Sequence, residues 1–402
     1  MATETVLHIG GNQEPAEMSR RSALKMFGVG GATLLVAGTG LLSYRVYDTA
    51  DLNPGGGNAY DPWHQWRDNP GPLGAVGAAI LAANPHNIQP WIFHVTANTI
   101  DVYRNTARTI GTVDPLSREV YVGLGCALEN LALACQARGL QPIITLLPDG
   151  ASGTRVAHVD ITPAPPRPGS LYDAIGDRHT NRGPYTGTTV TAQALAALVD
   201  TSGLPGVGLA WVTDPAQRAS LGQLLIDAAV ALTQDKQQSL DSFAWFRANN
   251  DAIERQPDGM TLDAQGMSPV MLSAAKLIPA SSRSAGDTFW VDQTRSVQTK
   301  TAAAYGVLTG ADAHDHTTQL RVGRLLQRIH LTATSRGIAL QPMNQITERI
   351  DRELTTGALA TFGPRFATFL PPGAEPVLAF RVGYPSREAL PSPRLGISEV
   401  TR

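Results

Sequence analysis

The stretch Asn84-Pro-His-Asn-Ile-Gln-Pro-Trp-Ile-Phe93 decides how the rest of the chain is interpreted. Pro85 and Pro90 fix their own backbone angles and push the residue before each of them out of the helical region. Asn87 and Gln89 can each donate and accept hydrogen bonds, which suits the edge of a heterocyclic ring. The alternative is an ordinary helix-to-strand turn, in which asparagine and proline serve geometry alone.

Regular elements are predicted on both sides of this stretch. Apolar residues at helical spacing predict a helix before it, and β-branched and aromatic residues predict a hairpin after it. Glycine and proline mark the turns between elements. The predicted elements of the first part are a helix over residues 73–83, strands over 91–95 and 99–103, a helix over 118–138, and strands over 142–147 and 156–161.

The helix over residues 118–138 is apolar on nearly every face, which indicates burial on most sides. Gly139 follows it at the position that favours a left-handed residue. Cys126 and Cys135 are nine residues apart on this helix, which separates them by ~13.5 Å along its axis. Because a disulfide needs Cα atoms within about 7 Å, we interpret both cysteines as buried and unpaired.

The composition bounds the class of protein. A chain of 402 residues is long enough for two domains or one large composite core. A hydrophobic fraction of 43% and a charged fraction of 16% are typical of a globular protein. The net charge of −2 gives no electrostatic basis for binding nucleic acid. His314, Asp315 and His316 alternate in a polar loop without a further ligand at metal-binding spacing, so no metal site is predicted.

The N-terminal segment resembles a twin-arginine (Tat) export signal. Arg20 and Arg21 precede a weakly hydrophobic, glycine-rich run over residues 27–42, and this is the order of a targeting segment. The alternative is a chance arginine pair ahead of a buried helix. We predict that residues 1–50 engage the Tat translocase in transit and direct the protein to the periplasm or cell envelope. If this signal is not cleaved, it also tethers the protein to the membrane.

A proline-rich segment, residues 162–169, is a stiff linker and marks the predicted internal boundary. Residues 254–286 are rich in Gly, Pro, Ser and Met and show little periodicity. Because so long an irregular region in a compact domain is usually functional or mobile, we expect a lid there. The other elements predicted after the linker are helices over residues 192–200, 215–250 and 318–336 and strands over 209–212, 302–308 and 377–382.

Two predicted helices match each other when the sequence is shifted by 198 positions. Gly125 falls on Gly323, and the pair Arg138-Gly139 at the end of the first helix falls on Arg336-Gly337. Two amphipathic helices share apolar spacing by physics alone. The matched glycines and matched ends favour duplication. Two copies in one chain can pack as an internal dimer across a pseudo-two-fold axis.

Four segments together resemble the nitroreductase superfamily of FMN enzymes. Residues 84–93 resemble its Asn-x-Gln-Pro-Trp-x-Phe motif, and residues 125–140 resemble its central helix. Residues 178–182, Arg-His-Thr-Asn-Arg, are similar to its Arg-x-Ser/Thr-x-Arg phosphate motif. Residues 380–385 and 393–395 are similar to its closing strand and tail arginine. No single segment is specific, but their order along the chain is.

A further likeness concerns one branch of that superfamily. His86-Asn87 and the lead-in Asp114–Glu119 are similar to the Acg-type FMN-binding proteins, in which two nitroreductase units are fused. The resemblance implies an α+β, nitroreductase-like fold with units over residues 51–165 and 170–402. These units form an internal pseudo-dimer with a lid excursion at about residues 254–286. A monomer is therefore expected.

The resemblance also implies FMN as the cofactor, held between the two units. The first half has Asn-x-Gln-Pro-Trp but no Arg-x-Ser-x-Arg, and the second half has the reverse, so we predict one FMN per chain. Guanidinium groups suit a phosphate because they are planar, charged and bidentate. The predicted FMN-binding residues are His86, Asn87, Gln89, Arg178, Thr180, Arg182, Pro342, Met343, Asn344 and Arg394.

Ordinary roles compete for several of these residues. The arginines can be exposed, His86 can be structural because relatives often carry serine there, and Pro342 and Met343 can belong to the core. Two functions are open. The first is an oxidoreductase that passes a hydride from NAD(P)H through FMN to a small nitro or quinone acceptor, with no catalytic side chain assigned. The second is an exported FMN-binding or storage protein with little or no turnover.

Overall fold

Two four-stranded antiparallel sheets and two long crossing helices organise the protein. The structure is a computed structural model that describes residues 54–277 and 282–402. The predicted export signal, residues 1–50, lies outside the described residues. Within them, each sheet is associated with one of the long helices. The predicted α+β fold of two fused units, forming an internal pseudo-dimer with a lid excursion, is confirmed.

The first sheet follows the motif at residues 84–93. Its strands lie in the order β1-β2-β4-β3, and every neighbouring pair is antiparallel. The predicted hairpin is confirmed, with Trp91 opposite Arg104 and Val95 opposite Ile100. The elements of this part are α1 Pro62–Gln65, α2 Gly71–Ala79, β1 Trp91–Val95, β2 Thr99–Arg104, α3 Arg118–Ala137, β3 Leu140–Leu146 and β4 Arg155–Pro163.

The second sheet has the order β5-β8-β10-β9 and is also antiparallel throughout. A short parallel pair, β6-β7, stands apart from it. The elements of this part are α4 Ser170–Asp173, α5 Ala192–Ala196, β5 Val207–Val212, α6 Pro215–Gln234, α7 Lys236–Phe243, β6 Phe246–Arg247, α8 Asn250–Arg255, β7 Met260–Thr261, α9 Pro269–Leu277, α10 Arg283–Gln293, α11 Thr299–Thr301, β8 Ala304–Gly310, α12 His316–Ser335, β9 Ala339–Pro342, α13 Gln345–Thr356, α14 Phe362–Ala367, β10 Glu375–Gly383 and α15 Ile397–Val400.

The helices α3 and α12 cross at two glycines. A Cβ atom on Gly125 would lie 2.2 Å from the Leu320 carbonyl oxygen, and one on Gly323 would lie 2.0 Å from the Val122 carbonyl oxygen. The two helices can approach this closely only because neither glycine has a side chain. The contact joins the two residues that the 198-residue shift aligns. This is the contact expected between equivalent positions at a pseudo-two-fold axis.

The helix α3 forms the centre of the core. It is long and apolar enough to cross a membrane, but 83% of its most apolar window is buried inside the protein. Cys126 and Cys135 are both free and buried, which confirms the interpretation made from their spacing. The predicted burial of this helix on most sides is also confirmed.

Two predictions about local structure are wrong, and two regular elements were missed. The helix expected over residues 215–250 is broken because Asp235 adopts an extended backbone and its carboxylate caps α7. The region 254–286 contains the helix α9 and the start of α10, since its small and polar residues do not prevent helix formation against the core. The strand β9 and the helix α13 were not expected, although α13 has a strongly amphipathic sequence.

The C-terminal tail crosses from the second unit to the first. Thr401 forms a parallel bridge with Phe93, and the Arg402 amide donates to the Phe93 carbonyl at 2.9 Å. The Leu395 amide donates to Gln89 Oε1 at 2.9 Å. Arg394 directly precedes this bonded tail. Its own amide donates to the Ala59 carbonyl at 2.8 Å, and its guanidinium donates to the Asn87 side chain, so bonds to the first unit position this arginine.

Candidate functional site

A large cavity lies between the two units and under residues of the 254–286 region. Its volume is about 690 Å³, within the range of about 300–1,000 Å³ that is usual for small-molecule sites. The first unit contributes Pro85 and Gly123 to its lining, and the second contributes Thr180 and Pro342. Both halves of the chain are therefore needed to form it. The 254–286 region contributes Met260, Met267 and Met271 to the lining, and the helix α10 adds Phe289 and Trp290 just beyond that region.

A second, smaller pocket of about 40 Å³ adjoins the large cavity. The two share Asn84, Thr180 and Arg182 among their lining residues, which places them side by side. The small pocket is also lined by Arg178 and Arg394, and no acidic residue lines it. We call Arg178, Arg182 and Arg394 the arginine cluster. The volume of the small pocket and the positive charge of this cluster suit a phosphate group.

The arginine cluster is buried without a compensating carboxylate. Arg178 donates to the Leu81 carbonyl at 2.9 Å and Arg182 to the Ala264 carbonyl at 3.1 Å. Arg394 binds the Pro393 carbonyl and the Asn87 side chain. Within residues 54–277 and 282–402, none of the three forms an ion pair with a carboxylate. Buried cations of this kind gain most from an anionic ligand.

Charge repulsion and burial both act on the arginine cluster. Burial lowers the pKa of Arg178 and that of Arg182 to about 10. Burial and then repulsion from Arg178 hold the pKa of Arg394 well below its usual value. Another buried arginine, Arg381, differs because five polar groups surround its guanidinium, including Gln341 at 2.7 Å and the Gly183 carbonyl at 2.7 Å. Arg381 is thus satisfied by the protein itself.

Trp63 also lines the small pocket, although no sequence pattern indicates it. The Arg394 guanidinium carbon lies 4.8 Å from the centre of the Trp63 ring, and that of Arg178 lies 5.8 Å away. The ring also contacts the His179 ring edge-on at 4.4 Å. An aromatic face stabilises neighbouring cations. Trp63 therefore helps to hold Arg178 and Arg394 close together.

The motif at residues 84–89 has an unusual backbone. His86, Asn87 and Gln89 adopt positive φ angles of 45°, 55° and 50°. Each such non-glycine residue costs on the order of 1–3 kcal/mol and persists only where the surroundings impose it. Side-chain bonds do so here, since Asn87 Nδ2 donates to the Pro393 carbonyl at 2.8 Å and Gln89 Nε2 to the Pro257 carbonyl at 2.8 Å.

His86 lines the cavity beside the motif. Its Nε2 atom lies 2.9 Å from the Ser242 hydroxyl. Burial, assisted by the charge of Arg182, lowers the pKa of His86 to about 4. The imidazole is therefore neutral at pH 7, and its partner in the described chain is a hydroxyl rather than a charged group. Its position fits either a ligand contact or a structural bond to α7.

The structure brings most of the predicted site residues together. His86, Thr180, Arg182, Pro342 and Asn344 line the large cavity, and the small pocket is lined by Asn87, Arg178, Thr180, Arg182 and Arg394. Asn344 Oδ1 has no hydrogen-bond partner in the described residues. It can therefore accept a hydrogen bond from a ligand.

Two predicted residues do not line either space. The side chain of Gln89 donates to the Pro257 carbonyl and accepts from the Leu395 amide, so both of its polar atoms are engaged within the protein. Met343 is 2% exposed and packs in an apolar cluster with Ile346 and Phe366. Neither residue lines the cavity or the small pocket.

Sequence reasoning missed the acidic end of the cavity. Glu119 comes from α3, and Gln345 and Glu348 come from α13. All three line the cavity and are at least nine-tenths buried. Their nearness could not be predicted because α13 itself was not expected. We call Glu119 and Glu348 the carboxyl pair.

Curated relatives match most of this chain. Two sequences from Mycobacterium tuberculosis strains, one named "Putative NAD(P)H nitroreductase Rv3131", are 24% identical over 328 residues, 80% of this chain and 88% of the relative. This chain is therefore similar to putative NAD(P)H nitroreductases over most of its length. Another relative from that organism, named "Putative NAD(P)H nitroreductase acg", is 28% identical over 90 residues, 22% of this chain and 27% of its own. No protein-family model matches the chain.

Solved structures of the superfamily align with little more than half of the chain. The FMN-dependent nitroreductase NfnB from Mycobacterium smegmatis, in complex with NADPH, is 17% identical, covers 58% of this chain and 97% of its own, and gives a TM-score of 0.37. A nitroreductase with bound FMN from Desulfitobacterium hafniense is 13% identical, with the same coverage and a TM-score of 0.35.

Proposed function

We propose that this chain binds one FMN between its two units and acts as an NAD(P)H-dependent oxidoreductase. The observation that carries the proposal is a basic pocket the size of a phosphate beside a cavity of about 690 Å³. FMN has that division into a phosphate and a ring system. The arginine cluster and Thr180 would hold the phosphate. Pro342 and Asn344 would lie towards the ring system.

The residues present fit this cofactor on physical grounds. The arginine cluster lacks carboxylate partners in the described chain, and a phosphate would supply the missing negative charge. Asn344 Oδ1 lacks a donor, and a flavin ring carries an N–H group. The bound cofactor would supply hydride transfer, which amino-acid side chains cannot perform. The names of the relatives support NAD(P)H as the reductant and a nitro compound as the acceptor. We add quinones as acceptors because they too are small planar molecules that take up a hydride.

The visible spectrum of the purified protein tests this function. A flavin spectrum, or one acquired on adding FMN, is expected. Stopped-flow mixing with NADPH should bleach the flavin band. Protein that is colourless and has no affinity for FMN contradicts both the cofactor and the enzyme.

The lid region supports a second function, FMN binding or storage. Phe289 and Trp290 of α10 and Met271 of α9 line the same cavity, so they cover the space that a nicotinamide would need. A cofactor beneath this cover would be retained but reduced slowly. An unchanged flavin band after mixing with NADPH would favour storage over oxidoreduction.

We further propose that the protein is exported and that its two units arose by duplication. The twin arginine at residues 20–21 supports Tat-dependent export to the cell envelope, and a cofactor bound before transport suits a pathway that carries folded proteins. The contact between Gly125 and Gly323 supports an origin by duplication. The expected species is a monomer, because the second unit replaces the partner subunit.

A further inference from the structure

The acidic end of the cavity has unpaired acidic groups. Glu119 and Glu348 are 5% and 7% exposed and line the same cavity, and Glu119 Oε1 has no hydrogen-bond partner in the described residues. Two buried carboxyl groups that repel each other favour the state in which one of them keeps its proton. Asn344 also bonds to Glu119. The carboxyl pair therefore exposes an acid to the cavity.

The charged groups around the carboxyl pair also favour a protonated acid. The charged or titratable groups that face it are Asp114 before α3, Arg118 on α3, and Arg349 and Asp351 on α13. Arg118 is already paired with Asp351, at 2.9 Å from Nε to Oδ2, and Arg349 binds Gln238 and Asp235. Within the described residues, no cation forms an ion pair with Asp114, Glu119 or Glu348. Like charges so close cannot all ionise.

The pKa values of these acids agree with this geometry. Burial raises the pKa of Glu348 to about 7 and that of Asp114 to about 6. Burial and then the charge of Glu348 raise the pKa of Glu119 well above its usual value. At least one proton is therefore retained near neutral pH.

An independent observation places a ligand at this end. Gln345 is 4% exposed and lines the cavity, and its Nε2 group has no hydrogen-bond partner in the described residues. A buried amide N–H without an acceptor costs about 1–3 kcal/mol. An oxygen of a bound molecule would satisfy it. The donors offered by Gln345 and the carboxyl pair both suit an oxygen acceptor.

We propose that Glu119, Gln345 and Glu348 form the acceptor-binding subsite, and that the carboxyl pair gives a proton to a quinone-type acceptor as the hydride arrives. This inference rests on the proposed oxidoreductase function. The subsite would take planar molecules with carbonyl or nitro oxygens. Gln345 would bind an oxygen, and Glu119 would protonate it.

The step balances in atoms and charge. A quinone takes a hydride, which brings two electrons and one hydrogen, from the reduced flavin. It takes one proton at an oxygen from the carboxyl pair, and the product is the hydroquinone. The pair then carries one proton fewer and regains it from solvent.

The test measures reoxidation of FMN-loaded protein that has been reduced by light in the presence of EDTA, so NADPH is not needed. Under anaerobic conditions it is mixed with benzoquinone or with ferricyanide, which takes electrons but no proton. Glu119→Gln should slow reoxidation by benzoquinone on the order of 10²-fold and leave the ferricyanide rate unchanged. Glu388→Gln, at an exposed position, is the matched control and should change neither rate.

The pH profile adds a second readout. With benzoquinone, the wild-type rate should fall as the pH rises from about 6 to about 8.5, because the acid is lost, and Glu119→Gln should flatten this profile. A benzoquinone rate in Glu119→Gln within about twofold of wild type would overturn the proposal. So would an equal loss of both rates, which indicates a structural role.

Infrared spectroscopy of FMN-free protein separates this inference from the proposed function. A protonated-carboxyl band should be present at neutral pH and weaken in both Glu119→Gln and Glu348→Gln. Its absence in the wild type overturns the proton donor even if FMN is bound and reduced. If the band is present but the protein binds no FMN, the oxidoreductase function fails, while the protonated pair stands.

Discussion

The basic small pocket and the acidic end of the large cavity oppose each other in charge, yet both hold buried groups without a partner of opposite charge. In the small pocket, Arg178, Arg182 and Arg394 have no carboxylate partner in the described chain, and Arg178 repels Arg394. In the large cavity, Glu119 and Glu348 form no ion pair with a cation of the described residues. A folded protein rarely keeps such groups for stability, since buried charges are costly unless paired. The difference indicates a ligand that is anionic at one end and accepts protons at the other.

The largest effect is expected at the basic end. The double change Arg178→Ala/Arg394→Ala removes two charge-assisted contacts worth about 1.5–3 kcal/mol each. The dissociation constant of FMN should therefore rise on the order of 10²- to 10⁴-fold, as measured by fluorescence titration. Arg336→Ala, at an exposed position on the end of α12, is the control and should leave it unchanged. Full flavin occupancy in the double variant would contradict the phosphate assignment.

The next effect concerns the crossing of the helices α3 and α12. Gly323→Ala places a Cβ atom 2.0 Å from a backbone oxygen, so α3 and α12 must move apart. The free energy of unfolding should fall by about 3 kcal/mol in urea denaturation. Gly169→Ala has no atom within 4 Å of the new Cβ and should change it little. Equal stability of the two variants would show that the crossing tolerates separation.

A smaller effect is expected at the acidic end, and it depends on pH. The folded-state pKa of Glu348, about 7, lies above its ordinary value of 4.5, so the stability that it contributes is present below 4.5 and lost as the pH rises through 7. Glu348→Gln should remove a change on the order of 1–2 kcal/mol from the unfolding free energy between about pH 5 and about pH 8. Identical pH profiles for variant and wild type would contradict a raised pKa.

The smallest effect is expected at Met343, which was predicted to contact the cofactor but does not line the cavity. Met343→Leu preserves core volume and should lower the free energy of unfolding by less than about 1.5 kcal/mol, with the dissociation constant of FMN unchanged. Fluorescence titration measures the second quantity. A clear loss of affinity would place Met343 against the cofactor, as its sequence position predicts.

Local chemistry was predictable from the sequence, and distant pairing was not. Arg178, Thr180 and Arg182 lie within five positions, so one short motif already indicates an anion site, and the matched Gly125 and Gly323 indicate the crossing. Glu119 and Glu348 belong to helices that are far apart in the chain. Nothing in either segment predicts that they meet.

The side-chain amides of Asn87 and Gln89 show a second feature that could not be predicted from the sequence. Asn87 and Gln89 look alike in sequence, since both are polar and both lie between prolines. Both side chains bond to the tail of the second unit, Asn87 at Pro393 and Gln89 at Leu395, but only Asn87 also lines the small pocket. The polarity of a side chain predicts that it will form hydrogen bonds. Which group it bonds to depends on segments that are distant in the sequence.

The central claim is a single composite site, with one side from each unit. Isothermal titration of FMN-free protein with FMN tests it most directly, since the stoichiometry counts the sites. The arrangement predicts one FMN per chain, because the arginine cluster occurs on only one of the two units in the described chain. A stoichiometry of two, or no binding, would contradict it.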